Sequence, residues 1–148
     1  MAGSDPPWTS SLLVRSSMFP ARLGGLLGMR RFIEHFCTEV GLARDTCLRL
    51  NLVLEELFTN TVRHGYRGGS DAPVWVILAG GDEGVDVTLE DTAPPFNPFA
   101  HVELPAQQGE MRKIGGLGVL LARELTMSRD YAYLFGRNRI HLRLAHAR

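Results

Sequence analysis

A glutamate and an asparagine stand one helical turn apart in a segment whose apolar residues recur with helical spacing. Glu56 and Asn60 are four positions apart, and side chains at that spacing are neighbours on one helix face. Magnesium takes hard oxygen ligands, few of them from protein and the rest from phosphates and water. Asn60 could therefore supply a ligand oxygen, while Glu56 could orient an attacking hydroxyl or accept its proton. The exposed side of an amphipathic helix explains the same two residues, so the pair alone leaves both interpretations open.

A second candidate is an aspartate at the end of a predicted strand. Asp91 follows the alternating segment 84–90 and precedes the proline-rich segment 92–98. A carboxylate at a strand end can accept a hydrogen bond from an exocyclic amine, such as that of adenine. A turn-forming aspartate ahead of a proline-rich loop is an equally good interpretation.

A third candidate is the glycine-rich segment Gly115-Gly116-Leu117-Gly118, which precedes a predicted helix. Glycines let the backbone approach a ligand closely, and the free N–H groups of a helix N-terminus attract phosphate. The segment lacks the Gly-Lys-Ser/Thr of a P-loop, and it does not follow a strand as a dinucleotide-binding fingerprint does. Taken alone, it could equally be a flexible hinge.

Apolar spacing predicts the helices that must position these residues. Side chains recurring every three or four residues predict helices over about 21–40 and 44–64, each with a glycine at its end. Pro20 suits the start of the first of these helices. A third helix is predicted over about 119–127, directly after the glycine-rich segment.

Alternating apolar and polar residues predict the strands. The predicted strands cover residues 11–17, 73–79, 84–90, 130–135 and 139–145, the last two joined by a turn at 136–138. Residues 91–114 show no sustained period, and a stretch of that length inside a compact domain is usually functional or mobile. Helices before and between antiparallel strands predict an α+β fold. We expect a two-layer sandwich, with a mixed, mostly antiparallel sheet and the helices on one of its faces.

Composition restricts the class of protein. The chain has 148 residues with 16 basic and 16 acidic side chains, so its formal net charge is zero. This length suits one domain with a real core, and a hydrophobic fraction of 45% argues against general disorder. The balanced charge offers no bulk electrostatic argument for direct binding to nucleic acid or an acidic membrane. We expect residues 1–10 to form a loose arm and residues 11–148 to form a single domain.

Cysteines and apolar runs bear on the cellular compartment. Cys37 and Cys47 lack metal-site spacing and cannot form a disulfide framework, so we expect free thiols in a reducing cytosol. The longest apolar run, residues 72–81, is about half the length of a transmembrane helix. The first residues lack the basic region and the long apolar region of a signal peptide. The sequence therefore predicts a soluble cytoplasmic protein.

The order of the three candidates along the chain resembles that of the GHKL (Bergerat-type) ATPase superfamily. In particular, the sequence is similar to small bacterial anti-sigma-factor serine kinases and their histidine-kinase-like ATPase relatives. The similarity covers residues 11–145. The motifs that carry it are an N box, Glu56-Leu-Phe-Thr-Asn60 with His64-Gly65-Tyr66, a first glycine box, Asp91 to Pro98, and a second glycine box, Gly115 to Gly118.

The resemblance implies a Bergerat-type fold and a role for each motif residue. Glu56 would be the catalytic base, Asn60 would ligate Mg²⁺ and Asp91 would bind the adenine amino group, with residues 97–114 forming an ATP lid. Arg112 or Lys113 could reach the γ-phosphate, although no motif fixes which of the two. The residues expected to contact ATP are Asn60, Asp91, Ala93, Phe96, Arg112, Lys113, Gly115, Gly116, Leu117 and Gly118.

Three positions near the motifs need separate interpretation. Glu55 competes with Glu56 as the acid, but it lies about 100° round the helix. We favour Glu56 because it shares the face of Asn60. Ala93 replaces the glycine that the family usually carries in its first box, and its methyl group either lies against the base or excludes positive φ. His64 lies near a helix C-terminus, where the dipole favours a cation, and this explains it better than a phosphoacceptor role.

The function implied is that of an ATP- and Mg²⁺-dependent serine/threonine protein kinase of the anti-sigma-factor type. Such a kinase phosphorylates a small STAS-type antagonist protein and sequesters a sigma factor, and so regulates transcription. The alternative is a non-catalytic, ATP-gated partner-switching module, which Ala93 and the unmatched lid favour. A scaffold with a decayed nucleotide site is the third reading. A homodimer could cover the free sheet face, near the apolar segment 12–14.

Overall fold

Five strands form one sheet in the computed structural model, which describes residues 12–100, 122 and 124–146. Every neighbouring pair within this part of the chain is antiparallel, and the strand order is β1-β2-β3-β5-β4. The strands are β1 (Leu13–Pro20), β2 (Pro73–Gly80), β3 (Gly84–Asp91), β4 (Ser128–Leu134) and β5 (Arg137–Ala145). The predicted α+β sandwich is confirmed.

Two antiparallel helices cover one face of the sheet. Helix α1 (Leu26–Val40) follows a short 3₁₀ turn and ends at Gly41, whose φ of 74° lies in the left-handed region. Helix α2 (Arg44–Asn60) continues into a π-helical turn over Thr61–Gly65, so the predicted end near residue 64 is confirmed. The prediction that the first helix begins after Pro20 is wrong. Pro20 ends the edge strand β1, where its missing N–H is tolerated, and two glycines delay the helix.

The core lies between the helices and the alternate side chains of the three central strands. In β2, for example, Val74, Val76 and Leu78 are fully buried, while the intervening residues are partly exposed. Gly80, at the end of this strand, lacks the side chain that would obstruct α1. A Cβ built on it would lie 2.9 Å from Phe36 Cζ, so glycine allows the helix to pack closely.

A disulfide joins the two helices at one end of the hairpin. Cys37 in α1 and Cys47 in α2 are bonded, with their Cα atoms 5.9 Å apart. The prediction of free thiols is therefore wrong. The physical reason is the short connection between antiparallel helices, which places the last turn of α1 opposite the first turn of α2.

The outer face of the sheet is charged and partly exposed. Arg137 and Arg139 of β5 form ion pairs with Glu90 of β3, at 3.2 and 2.7 Å. His141 and Arg143 likewise lie opposite acidic groups, with distances of 3.6 Å to Asp86 and 2.9 Å to Glu83. None of the helices in the described part of the chain combines the length and apolarity that a membrane span requires.

The β4–β5 hairpin differs in detail from the prediction. The turn comprises Phe135 and Gly136, with φ of 52° and 77°, and β5 already begins at Arg137. Two positive φ values match the right-handed twist of a tight hairpin. The predicted three-residue turn is therefore wrong, and Asn138 belongs to the strand, where its register partner is Asp91. Of the predicted third helix, residues 122, 124 and 125 are helical and residues 126 and 127 are not, while the rest lies outside the described residues.

Candidate nucleotide-binding site

The C-terminal half of α2 carries both predicted N-box side chains. Glu56 is partly buried, and Asn60, in the last turn, is 7% exposed. The structure gives neither side chain a hydrogen-bond partner among the described residues. No side-chain polar atom in the described part of the chain is both fully buried and without a partner, so the Asn60 carboxamide stays accessible and is available to a ligand.

Arg30 of α1 distinguishes the two neighbouring glutamates. Its Nη2 atom donates a hydrogen bond to Glu55 Oε2 at 3.1 Å, across the helix pair. Glu55 therefore faces α1, whereas Glu56 lies about 100° further round the helix. The ion pair supports the preference for Glu56, which shares its side of α2 with Asn60.

The surroundings of Glu56 raise the pKa of its carboxyl group and so favour the neutral form. Partial burial raises its pKa, the charge of Glu55 raises it further, and Arg63 opposes both effects. A higher pKa makes the carboxylate a stronger proton acceptor at the cost of a smaller ionised fraction at acidic pH. This is the direction expected of a general base.

Asp91 ends β3 as predicted, and its carboxyl is held by two donors. Asp91 is only 4% exposed, whereas aspartates in proteins generally lie at the surface. Both donors meet the same oxygen. The Ala93 backbone N–H lies 3.0 Å from Oδ1 and Asn138 Nδ2 lies 2.8 Å from it. Burial raises the pKa of Asp91, and these two hydrogen bonds lower it in part. Oδ2 receives no donor from the described residues.

Tyr66 and His64, in the tail of the N box, bring that box and the Asp91 loop together. The Thr92 N–H donates to the Tyr66 hydroxyl at 2.9 Å, and the hydroxyls of the two residues lie 3.1 Å apart. His64 stacks on Phe96, with ring centroids 6.0 Å apart and planes at 25°. Residues more than 25 positions apart in sequence thus form one surface beside α2.

Ala93, the departure from the family pattern, is accommodated without strain. Positive φ among the non-glycine residues described is confined to Arg67 and Phe135, so Ala93 does not need the conformation that glycine favours. The residue is 2% exposed. Its Cβ faces Gly65, where an added Cβ would lie at 3.1 Å. The methyl group is thus packed against the end of the π-helical turn.

The second half of the predicted site lies outside the described residues. The missing part comprises the predicted lid beyond residue 100 and the predicted ATP contacts Arg112, Lys113, Gly115, Gly116, Leu117 and Gly118. The predicted arm, residues 1–10, also lies outside the described residues. At the start of the lid, the Phe99 N–H donates to Asn97 Oδ1 at 2.9 Å.

Sequence reasoning missed Asn138 and Tyr131, which support the Asp91 loop. Asn138 contacts Asp91 from the adjacent strand, 47 positions away, and Tyr131 reaches Asn138 from β4. No motif marks either residue. The hairpin rule could have found Asn138, because a two-residue turn at 135–136 places it in β5 opposite Asp91.

The donor set suits magnesium. The oxygens on this side of α2 are the Asn60 carbonyl and the Glu56 carboxylate, both hard ligands. The described residues contain no cluster of three or more His, Cys, Asp or Glu side chains that could hold a metal ion without help from a nucleotide. Mg²⁺ commonly takes one or two protein oxygens and completes its shell with phosphate and water. The residues present therefore fit a nucleotide-bound ion.

Comparison with known proteins agrees with this arrangement. The fold is similar to the crystal structure of the RsbU and RsbW domains of Rv1364c from Mycobacterium tuberculosis, with a TM-score of 0.65 at 16% identity. The similarity covers 92% of this chain and 33% of that chain, so this chain spans about a third of its length. The curated proteins give no sequence match. The profile of the histidine kinase-like ATPase domain matches residues 19–144, which include α2 and Asp91. The chain therefore belongs to the histidine kinase-like ATPase domain family, and the resemblance to Bergerat-type ATPases is confirmed.

Proposed function

We propose that the protein is an ATP-dependent serine/threonine protein kinase of the anti-sigma-factor type. The observation that carries the proposal is the joining of the two motifs, because Tyr66 ties the Asp91 loop to the end of α2. The carboxylate of Asp91, proposed to bind the base, and the Glu56–Asn60 pair are thereby connected through Tyr66 and Thr92. Membership of an ATPase domain family supports ATP as the nucleotide.

Each residue has a distinct task in the proposed reaction. Asp91 Oδ2 accepts a hydrogen bond from the adenine amino group, and Asn60 is the protein ligand of Mg²⁺. The ion, when bound, neutralises charge on the transferred phosphoryl group. Glu56 orients the substrate hydroxyl and takes its proton as the hydroxyl oxygen bonds to the γ-phosphorus. The bond between that phosphorus and the β–γ bridging oxygen breaks, and ADP leaves.

The partner proteins follow from the resemblance alone. We propose a STAS-type antagonist as the phosphorylated protein and a sigma factor as the sequestered one. The non-catalytic, ATP-gated switch remains the alternative, although the packing of Ala93 against Gly65 removes one argument for it. It predicts ATP binding without phosphate on the antagonist. The homodimer over the outer sheet face also stays a prediction.

Thermal unfolding with and without Mg-ATP tests the nucleotide site. A ligand at about one hundred times its Kd adds about 2.7 kcal/mol to the free energy of unfolding, which raises Tm by several degrees in a domain of this size. We expect this rise in the wild-type protein and its loss in Asn60→Ala. Asn51→Ala is the matched control, because Asn51 lies on the same helix and donates to the Cys47 carbonyl at 3.1 Å.

Phosphate transfer then separates the kinase from the switch. With γ-labelled ATP and a STAS-type protein, the kinase predicts label on a serine or threonine. ATP binding with no label on any such protein would leave the partner-switching alternative. Absence of a Tm shift at millimolar Mg-ATP would overturn both proposals.

A further inference from the structure

Asn138 occupies the centre of the Asp91 loop. It is the second residue of β5, is 3% exposed and lies opposite Asp91 in the β3–β5 register. Its Nδ2 atom lies 2.8 Å from Asp91 Oδ1, 3.0 Å from the Ala93 carbonyl oxygen and 3.2 Å from the Pro94 carbonyl oxygen, so its two N–H groups are shared among three acceptors. One amide group thus contacts three successive parts of the loop.

The other side of the same amide meets donors. Asn138 Oδ1 accepts a hydrogen bond from the Phe96 N–H at 3.0 Å and another from the Tyr131 hydroxyl. The Phe96 N–H also lies 3.1 Å from that hydroxyl. Acceptors surround the nitrogen and donors surround the oxygen, so the amide has one chemically consistent orientation. Burial raises the pKa of Tyr131, which keeps this hydroxyl a donor.

We propose that Asn138 is a positioning residue for the nucleotide base. By occupying Asp91 Oδ1 and fixing the backbone of residues 93–96, its amide leaves Asp91 Oδ2 as the one carboxyl oxygen directed to a purine amino group. This inference rests on the proposed function. It assigns to Asn138 an effect on base affinity and on the preference for a purine with a 6-amino group, as in ATP, over one with a 6-oxo group, as in GTP.

The contribution of Asn138 comes from the donor side of its amide, which a carboxyl group of the same size does not reproduce. A carboxyl group at this position would keep the acceptor side towards Tyr131 and Phe96 while placing a second acid against Asp91. Two carboxyls in contact share one proton, and their titration becomes a property of the pair. The other titratable groups that meet this loop in the described part of the chain are Tyr131, which bonds Asn138, Tyr66, which accepts from the Thr92 N–H, and His64, which stacks on Phe96. All three are also present in the wild-type protein, so the comparison between wild type and variant isolates the carboxyl pair.

The decisive variant is therefore Asn138→Asp, which replaces the donor Nδ2 by a carboxyl oxygen and keeps the size of the side chain. We expect Mg-ATP to bind with near wild-type Kd at low pH, where the pair holds a proton. The Kd should rise about tenfold or more as the pH increases and the pair loses that proton. The wild-type protein and the control Asn51→Asp should show no such rise. An Asn138→Asp protein that binds ATP as the wild type does across this range would overturn the proposal.

Titration of the free protein separates this inference from the proposed function. Carbon-13 NMR of the Asp91 carboxyl follows its protonation without any nucleotide. We expect a higher pKa in Asn138→Ala, because a hydrogen bond that lowers the pKa is lost; an unchanged pKa would show that Asn138 does not hold Asp91. If wild-type protein binds no Mg-ATP, the proposed function fails, and the assignment of Asn138 to a nucleotide fails with it.

A milder variant covers the case in which Asn138→Asp does not fold. Tyr131→Phe removes one donor from Asn138 Oδ1 and leaves the Phe96 N–H in place. We expect the ATP Kd to rise by a factor of about three to ten, in line with the loss of one hydrogen bond. The ratio of ATP to GTP affinity should fall with it. An unchanged Kd and an unchanged ratio would overturn the proposal.

Discussion

Gly65 and Ala93 are in contact where α2 meets the Asp91 loop, since a Cβ built on Gly65 would lie 3.1 Å from the Ala93 Cβ. The family usually places glycine at the position of Ala93, so the methyl group here fills space beside another glycine. The contact explains how the alanine is tolerated. It also makes the two positions dependent on each other.

The first prediction is a coupling between these two residues. Gly65→Ala should reduce the free energy of unfolding by about 1 kcal/mol, because the new methyl group meets Ala93 inside normal contact distance. Combining it with Ala93→Gly should relieve the contact. Chemical denaturation of the wild type, both single variants and the double variant measures the interaction energy, which should exceed about 0.5 kcal/mol. Simple additivity would show that the loop shifts freely.

Local features of the site were predictable from the sequence. The spacing of Glu56 and Asn60 depends on the helical repeat alone, and the position of Asp91 follows from the alternation of β3. Gly41 similarly marks the end of α1. Each of these inferences uses residues within a few positions of one another, and local backbone geometry determines the outcome.

Relationships across the sheet and between helices were not predictable in this way. Asn138 meets Asp91 because of the β3–β5 register, which depends on a turn containing Phe135 in a left-handed conformation that aromatic residues rarely adopt. The pairing of Cys37 with Cys47 depends on how the short connection brings the end of α1 against the start of α2. Such contacts follow from tertiary packing, and composition and periodicity alone do not specify the turn length or the helix packing that produces them.

The second prediction concerns the stability cost of Asp91. Burial raises its pKa, so the folded protein binds this proton more tightly than the unfolded chain, and stability falls as the pH rises from the ordinary aspartate range through the raised value. Asp91→Asn removes the buried charge while its carbonyl can still accept from Asn138. We expect Tm at neutral pH to rise by on the order of a few degrees. The gain should disappear at acidic pH.

The same variant, although more stable, should lose its affinity for the nucleotide. Asp91→Asn places an amide nitrogen where an acceptor is needed, and two donors then face each other at the purine amino group. Calorimetric titration with Mg-ATP should detect no binding by the stabilised protein. A variant that is both less stable and still able to bind ATP would contradict the assignment of Asp91.

The third prediction concerns the disulfide. Removing the bond between Cys37 and Cys47 releases a loop with a sequence separation of 10, and we expect the free energy of unfolding to fall by about 2–3 kcal/mol. Unfolding of the wild type with and without a thiol reductant measures the effect. The double variant Cys37→Ala/Cys47→Ala should be insensitive to reductant.

Loss of the disulfide should leave nucleotide binding unchanged. Cys47 lies nine positions before Glu56 on α2, which is about 13 Å along the helix axis. The two candidate site residues, Glu56 and Asn60, are at the other end of the helix, near the Arg30–Glu55 ion pair. An altered Kd for Mg-ATP in the reduced protein would show that the hairpin transmits strain to the site.

The fourth prediction uses the two adjacent glutamates as a matched pair. Glu56→Gln should lower the rate of phosphate transfer by about 10²–10⁴-fold, the usual contribution of a general base, while the Kd for Mg-ATP stays within about threefold. Glu55→Gln breaks the exposed ion pair with Arg30. Because such pairs contribute at most about 1 kcal/mol, this variant should be slightly less stable and should transfer phosphate normally.

The pH profile of transfer distinguishes a base from a residue that only shapes the helix. Burial and the charge of Glu55 raise the pKa of Glu56, so the wild-type rate should fall on the acidic side as this carboxylate gains a proton. The residual rate of Glu56→Gln should lack that acidic limb, because no group titrates at the position. Glu55→Gln removes the charge that, together with burial, raises the pKa of Glu56, so the acidic limb of this variant should move to lower pH. Wild-type rates in Glu56→Gln together with loss of transfer in Glu55→Gln would reverse the assignment.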